Sequence, residues 1–243
     1  YGEMVTLKWG LQQSNNWISA YLMSKLNPQA FVTLLREYGI NNPEIHPSMS
    51  LCLGPCDITV AEMVSAYTAF VNHGIRTAPL LVTRIEDNEG NVVAQFRPRM
   101  NEVISEESAH KMLYMLKAVI DGGTGGRLRY MYNITGEVGG KTGTTNNNSD
   151  AWFMGITPNL VSGCWVGGDD RDIHFSMTSI GQGASGALPI WAYFMKSVYA
   201  DKRLGYSPEA VFDLPPGYNP CKMDESGLDA TFNAGGNIED IFE

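Results

Sequence analysis

Residues 139–158 read GGKTGTTNNNSDAWFMGITP, and the fold turns on how they are parsed. Asn146, Asn147 and Asn148 mark a polar turn, and the apolar run 151–156 behind them reads as a strand. In the strand before the turn, Lys141 stands beside the hydroxyls of Thr142, Thr144 and Thr145. Gly143 sits where a β-carbon would block a ligand lying along the backbone. Alternate side chains share a face, so Thr142 and Thr144 are expected on one side and Lys141, Gly143 and Thr145 on the other. Such a strand edge, with one cation, hydroxyls and backbone amides, suits an anion held in an extended pose.

A lysine and threonine after glycines also occur in nucleotide-binding P-loops, which need a glycine, four residues, then Gly-Lys-Ser/Thr leading into a helix. Gly140, Lys141 and Thr142 fit that pattern, but Thr135 stands where the first glycine belongs and Gly136 comes one residue late. A turn and a strand follow instead of a helix. The rival is the Lys-Thr-Gly strand of the serine transpeptidases and β-lactamases, whose signature also requires an earlier Ser-x-Asn. Ser14, Asn15 and Asn16 supply it. Read alone, that triplet is an ordinary helix cap.

The run KTGTTNNNSDAWFMGITPNLVSGCWVGGDD at 141–170 closely resembles the penicillin-binding proteins of the bifunctional, high-molecular-weight class A. The resemblance continues through GTG at 123–125 and ITVAEMVSAYTAFVNHG at 58–74, and ends near PIWAYFM at 189–195. It implies the α+β fold of the serine β-lactamases and transpeptidases, an antiparallel sheet flanked by helices. It further implies that the chain is the C-terminal part of a transpeptidase domain. The first strands, the first catalytic helix, a glycosyltransferase domain and an inner-membrane anchor are then expected outside it, and the location is periplasmic. The partners implied are the D-Ala-D-Ala stem peptide of peptidoglycan, β-lactam antibiotics and the rest of the same protein. No cofactor or metal is implied.

Enzymes of this family attack the D-Ala-D-Ala terminus with a serine, release the last D-alanine and pass the acyl group to an amine on a neighbouring strand; penicillins trap the serine. By resemblance, Lys141 lies over the site and Thr142 and Thr144 bind the substrate carboxylate, with Gly143 leaving room between them. The Thr144 N–H forms half of an oxyanion hole, Ser14 relays the proton to the leaving nitrogen, and Asn16 holds the acyl-side amide. Asn15 points away, Thr124 flanks the cleft, and Asp150 and Trp152 fix the turn and the core.

The nucleophile poses a problem. The Ser-x-x-Lys formed by Ser108 and Lys111 follows Ser-x-Asn, the reverse of the family order, and falls on the polar first turn of an amphipathic helix. The acylated serine is therefore expected upstream of Tyr1, and the chain by itself is expected to be inactive. Two alternatives share the fold. A β-lactamase needs a glutamate to position water; Glu37 and Asn41 have the right spacing, but Gly39 between them ends a helix. A β-lactam sensor or other non-catalytic module needs only the binding shelf.

With 17 Lys and Arg against 26 Asp and Glu, the net charge of −9 argues against nucleic acid or an anionic membrane surface as partner. A hydrophobic content of 44% suffices for a real core. Cys52 and Cys56, in CLGPC, could pair in an oxidising compartment or remain thiols; with only His46 near them, zinc spacing is poor. Cys164 reads as core.

Along the chain, one apolar helical series is expected over 6–26, and a second helix starts at Asn27 and Pro28 and stops at Gly39. Thr59 and Glu62 form a capping box for a third, which carries His73 in its last turn. A hairpin spans 80–96, a helix 105–121, a glycine turn 122–126, an antiparallel meander the region 139–167, and a helix over the sheet 188–199. The domain is expected over 1–200, followed by an irregular acidic tail over 201–243.

Overall fold

A computed structural model of the chain describes residues 4–218 and 220. Helices α1 (Leu7–Gln12), α2 (Asn16–Met23), α3 (Pro28–Glu37) and α4 (Val60–Val71) come first. Strand β1 (Ile75–Thr77) follows, then a hairpin of β2 (Arg84–Glu86) and β3 (Val92–Gln95), and β4 (Met100–Glu102) returns to pair with β1. Helix α5 (Glu106–Gly122) and the single turn α6 (Arg127–Tyr130) lead into β5 (Gly139–Thr144), β6 (Asp150–Thr157) and β7 (Leu160–Gly167). The chain then forms α7 (Thr178–Gly181) and α8 (Ala187–Ala200). The class is α+β, as the sequence predicts.

Strands β5, β6 and β7 form one antiparallel meander in that order, with Lys141 opposite Met154 and Gly143 opposite Trp152. On one face, Phe153 of β6 meets Trp191 of α8 edge to face, their rings 5.3 Å apart. Leu188, Ala192 and Met195 of α8 join Ile120, Leu128 and Val138 in the same buried cluster. The Trp191 indole N–H donates to Ser162 Oγ at 2.7 Å, so the one polar atom of this buried ring is satisfied. Gly155 lets the ring lie flat on the sheet: a β-carbon there would stand 2.2 Å from Trp191 Cε2. Across the sheet from α8, Met23, Val32, Ile40, Ile45, Leu51 and Ala66 form a separate helical core.

The expected caps are in place. Asn27 Oδ1 accepts from the amides of Gln29 and Ala30 at the head of α3, and Thr59 and Glu62 close a reciprocal box on α4. Three expectations change. The apolar series over 6–26 is two helices, because the chain reverses at Ser14. His73 lies beyond the end of α4, at φ 52°, rather than in its last turn. The stretch from 201 is mostly irregular, yet its described part is anchored: Phe212 is buried with Leu113, Leu116 and Ile156, and its N–H donates to Glu137 at 2.6 Å. Cys221 and the rest of the acidic tail lie outside the described residues. Cys52, Cys56 and Cys164 are free thiols, each with its pKa raised by burial.

Candidate active site

The Ser14-Asn15-Asn16 triplet is the junction between two helices. At the end of α1 the Ser14 N–H donates to the Leu11 carbonyl at 3.1 Å and the Asn15 N–H to the Gly10 carbonyl at 2.9 Å. This is a Schellman ending, whose reversing residue must take a left-handed conformation and is usually glycine. Here it is Ser14, at φ 53°. Asn15 then caps α2, its Oδ1 accepting from the Ile18 N–H at 3.1 Å, and Asn16 is the first residue of that helix. Asn15 therefore has a fixed structural duty as the cap of α2. Ser14 and Asn16 are both exposed.

The reversal aims the Ser14 side chain at β5. Lys141 Nζ donates to Ser14 Oγ at 2.7 Å, joining residues 127 positions apart, and to the Thr142 carbonyl at 2.8 Å. Burial lowers the Lys141 pKa from 10.5 to about 8, because an enclosed ammonium loses hydration. Thr142 is buried, and its hydroxyl donates to Thr124 Oγ1 at 2.8 Å. The glycine turn brings Thr124 there by closing onto α1. The Thr124 N–H donates to the Gln12 carbonyl, and a β-carbon on Gly123 would lie 2.3 Å from that same oxygen. The structure thus gathers Ser14, Lys141, Thr142 and Thr124 into one connected group. Asn16 stands next to it without lining the cleft described below.

Strand β5 is the sheet's edge. The Thr145 N–H points inward to the Asp150 carbonyl at 3.2 Å, so by antiparallel alternation the N–H groups of Thr142 and Thr144 face the open edge. Thr144 Oγ1 accepts from the Gly183 N–H at 3.0 Å, which leaves its own proton free to donate. The loop that supplies Gly183 is held in turn by Arg127, which donates to Ser185 Oγ at 2.8 Å and to the Ala184 carbonyl at 3.2 Å. Sequence reasoning missed both Gly183 and Arg127. The GQGASG run at 181–186 was the available signal, since dense glycine marks close backbone approach.

Beside the strand opens a cleft of about 840 Å³. Lys141, Gly143 and Thr144 line one wall, Met63 and Tyr67 of α4 the other, and Trp152 and Met154 the floor. Asp150 fixes the turn as expected, accepting from Ser149 Oγ at 2.8 Å and from Trp165 Nε1 at 2.9 Å. Trp152 differs from its expected core role by lining the cleft. Ser108 is exposed on α5 and bonds Ser105, while Lys111 pairs with Glu107 at 2.6 Å. Neither faces the cleft, and neither do Glu37 and Asn41.

The family described as the penicillin binding protein transpeptidase domain matches residues 1–162 of the 243. The chain belongs to that family. It is similar to penicillin-binding protein 1A of Aquifex aeolicus, 34% identical over 216 residues that cover 89% of this chain and 28% of that protein. Penicillin-binding protein 1B of Vibrio cholerae is 33% identical over 212 residues, covering 87% and 26%. Among solved structures, penicillin-binding protein 1A of Haemophilus influenzae superposes with a TM-score of 0.75 at 28% identity, covering 87% of this chain and 36% of that one. PonA1 of Mycobacterium tuberculosis shares the fold with a TM-score of 0.71 at 24% identity, over 88% and 61%. The chain thus spans about a quarter of the length of these curated relatives. In this penicillin-binding transpeptidase domain, no described helix is long and apolar enough to cross a membrane.

Proposed function

We propose that the chain forms the carboxylate-binding half of a peptidoglycan D,D-transpeptidase that cross-links stem peptides by serine acyl transfer from D-Ala-D-Ala. The observation that carries this reading is the 2.7 Å bond from Lys141 Nζ to Ser14 Oγ, which puts a poised cation and a hydroxyl at one open strand edge. The terminal carboxylate of the peptide, or of a penicillin, docks on Lys141 and accepts a hydrogen bond from the free Thr144 hydroxyl, charge-assisted contacts that are stronger than neutral ones. Thr142 is committed to Thr124, so the pair acts as a unit: Thr124, accepting from Thr142, keeps its own proton to offer. The outward Thr144 N–H serves the oxyanion, a contribution whose loss typically costs about 10²–10³ in rate. Gly143 keeps the strand surface low for the ligand.

Ser14, hydrogen-bonded to a lysine whose pKa is about 8, passes a proton to the leaving nitrogen; the 2.7 Å bond to Lys141 supports this role. Asn16, one helix position on, holds the acyl-side amide. The acylated serine comes from a Ser-x-x-Lys outside these residues, on an element that docks in the apolar-floored cleft beside Lys141. Ser108 does not serve, since it faces solvent on α5. The complete protein then acts at the periplasmic face of the inner membrane, anchored by a segment outside the chain.

Labelled penicillin, followed by mass spectrometry, tests this on the 243-residue chain and on the complete protein. The expected result is no adduct on the chain alone, an adduct on an upstream serine of the complete protein, and slowed acylation there for Lys141→Ala. An adduct at Ser14 or Ser108, or acylation at the parental rate in Lys141→Ala, overturns the reading.

A further inference from the structure

At the head of α5, three side chains that the transpeptidase chemistry does not use converge. Glu106 and His110 lie one turn apart on α5, and His73 reaches them from the left-handed turn after α4. His73 Nδ1 is 2.8 Å from Glu106 Oε1, and His110 Nε2 is 3.8 Å from that same oxygen. One ligand atom from each of the three residues lies within 4.8 Å of the other two. His110 Nε2 is fully buried yet has no hydrogen-bond partner, and so is the hydroxyl of Tyr218, whose ring packs edge-on against His110. An orphaned buried polar atom is costly, and each of these needs a partner that the described residues do not supply.

The charges point the same way. His73 has a carboxylate at each nitrogen: Glu106 at Nδ1, and Asp213 Oδ2 at 3.6 Å from Nε2. A metal ion held at Nδ1 leaves Nε2 facing Asp213, the carboxylate–histidine–metal arrangement that orients ligating histidines. A cavity of about 200 Å³, lined by His73, His110, Phe212 and Asp213, opens beside the group.

We propose that His73, Glu106 and His110 bind a divalent transition metal, zinc above all. Two imidazoles and one carboxylate suit Zn²⁺, and ligand atoms around a tetrahedral ion stand about 3.3 Å apart at Zn–N distances of about 2.0 Å. Reaching that spacing opens the His73–Glu106 pair from 2.8 Å and draws His110 Nε2 and Glu106 in from 3.8 Å, with the solvent-exposed Glu106 and half-exposed His73 as the side chains that move. The fourth position is left to water or to the Tyr218 hydroxyl. Such an ion ties together the turn after α4, the head of α5 and, through Asp213, the segment that carries Phe212. It is a structural clamp remote from the cleft.

The test is zinc content by elemental analysis after equilibrium dialysis of the tag-free 243-residue chain, in a Cys52→Ser, Cys56→Ser background that removes the closely spaced thiols lining the cleft. One zinc per chain is expected at micromolar free metal, with near-complete loss in His73→Ala and in His110→Ala. Asp213→Asn, on an exposed side chain, should weaken binding by about tenfold while leaving the metal-free melting temperature unchanged. Zinc should also raise the melting temperature of the parent and not that of His110→Ala. Zinc content near zero in the parent, or unaltered by both histidine substitutions, overturns the proposal.

Discussion

Ser14 occupies a backbone position that favours glycine, at φ 53°, where an L side chain costs about 1–2 kcal/mol. Its hydroxyl is what the site gains in return, through Lys141. The two roles separate in Ser14→Gly: the melting temperature of the chain should hold or rise, while acyl transfer by the complete protein falls by about 10²–10⁴. A matching fall in melting temperature would mean that the residue is merely structural. Lys141 has a folded pKa of about 8 against 10.5 when unperturbed, so its sign is that of a cation penalised by burial. Below pH 8 both states are protonated and the penalty is fully present; between pH 8 and 10.5 the unfolded chain holds more protons, and stability rises with pH. Function runs the other way. Affinity for the substrate carboxylate should weaken as pH rises through about 8, measurable as the pH profile of penicillin acylation in the complete protein, and Lys141→Arg should push that fall to higher pH.

At the scale of elements, the fit of α8 to the sheet rests on Gly155 and Trp191. Gly155→Ala drives a methyl group into the indole, so it should lower the melting temperature sharply, and Trp191→Ala should cost about 3–5 kcal/mol in denaturant unfolding. The capping box of α4 makes a smaller, local contribution. Thr59→Ala removes the acceptor for the Glu62 N–H and should cost about 1 kcal/mol. These elements were legible in the chain because their signals are local: Asn27 and Pro28 start α3, the box starts α4, and alternation with asparagine and proline turns spells the β5–β7 meander. The helix entry at Ser14-Asn15-Asn16 was legible as a cap, and Asn15 does cap α2; the separate helix α1 before it and its left-handed ending at Ser14 were not. The apolar series continues through it, and a serine in a glycine position leaves no sign in the pattern.

Over the whole molecule, Glu137 joins three parts, pairing with Lys117 of α5 and accepting from the Phe212 N–H. Burial alone would raise its pKa, but these donors outweigh it and the pKa is lowered. A depressed carboxylate contributes stability above its unfolded pKa and loses it as pH falls through the folded one. Glu137→Gln should therefore weaken the attachment of the segment around Phe212, read as faster proteolysis there at neutral pH, and should flatten the acid limb of the stability profile.

The sequence by itself determined the strand bearing Lys141, Thr142 and Thr144, the class of the fold and the family, because strand alternation, caps and turns act over a few residues. Only the tertiary structure decided that Ser14 meets Lys141 across 127 positions, that Thr124 shares a hydrogen bond with Thr142, and that Gly183 reaches Thr144. It alone decided, too, that His73, Glu106 and His110 share one corner. The reason is physical: those meetings depend on where helices end and how they pack on the sheet, and packing is set by burial summed over the whole core, which no short window of sequence records.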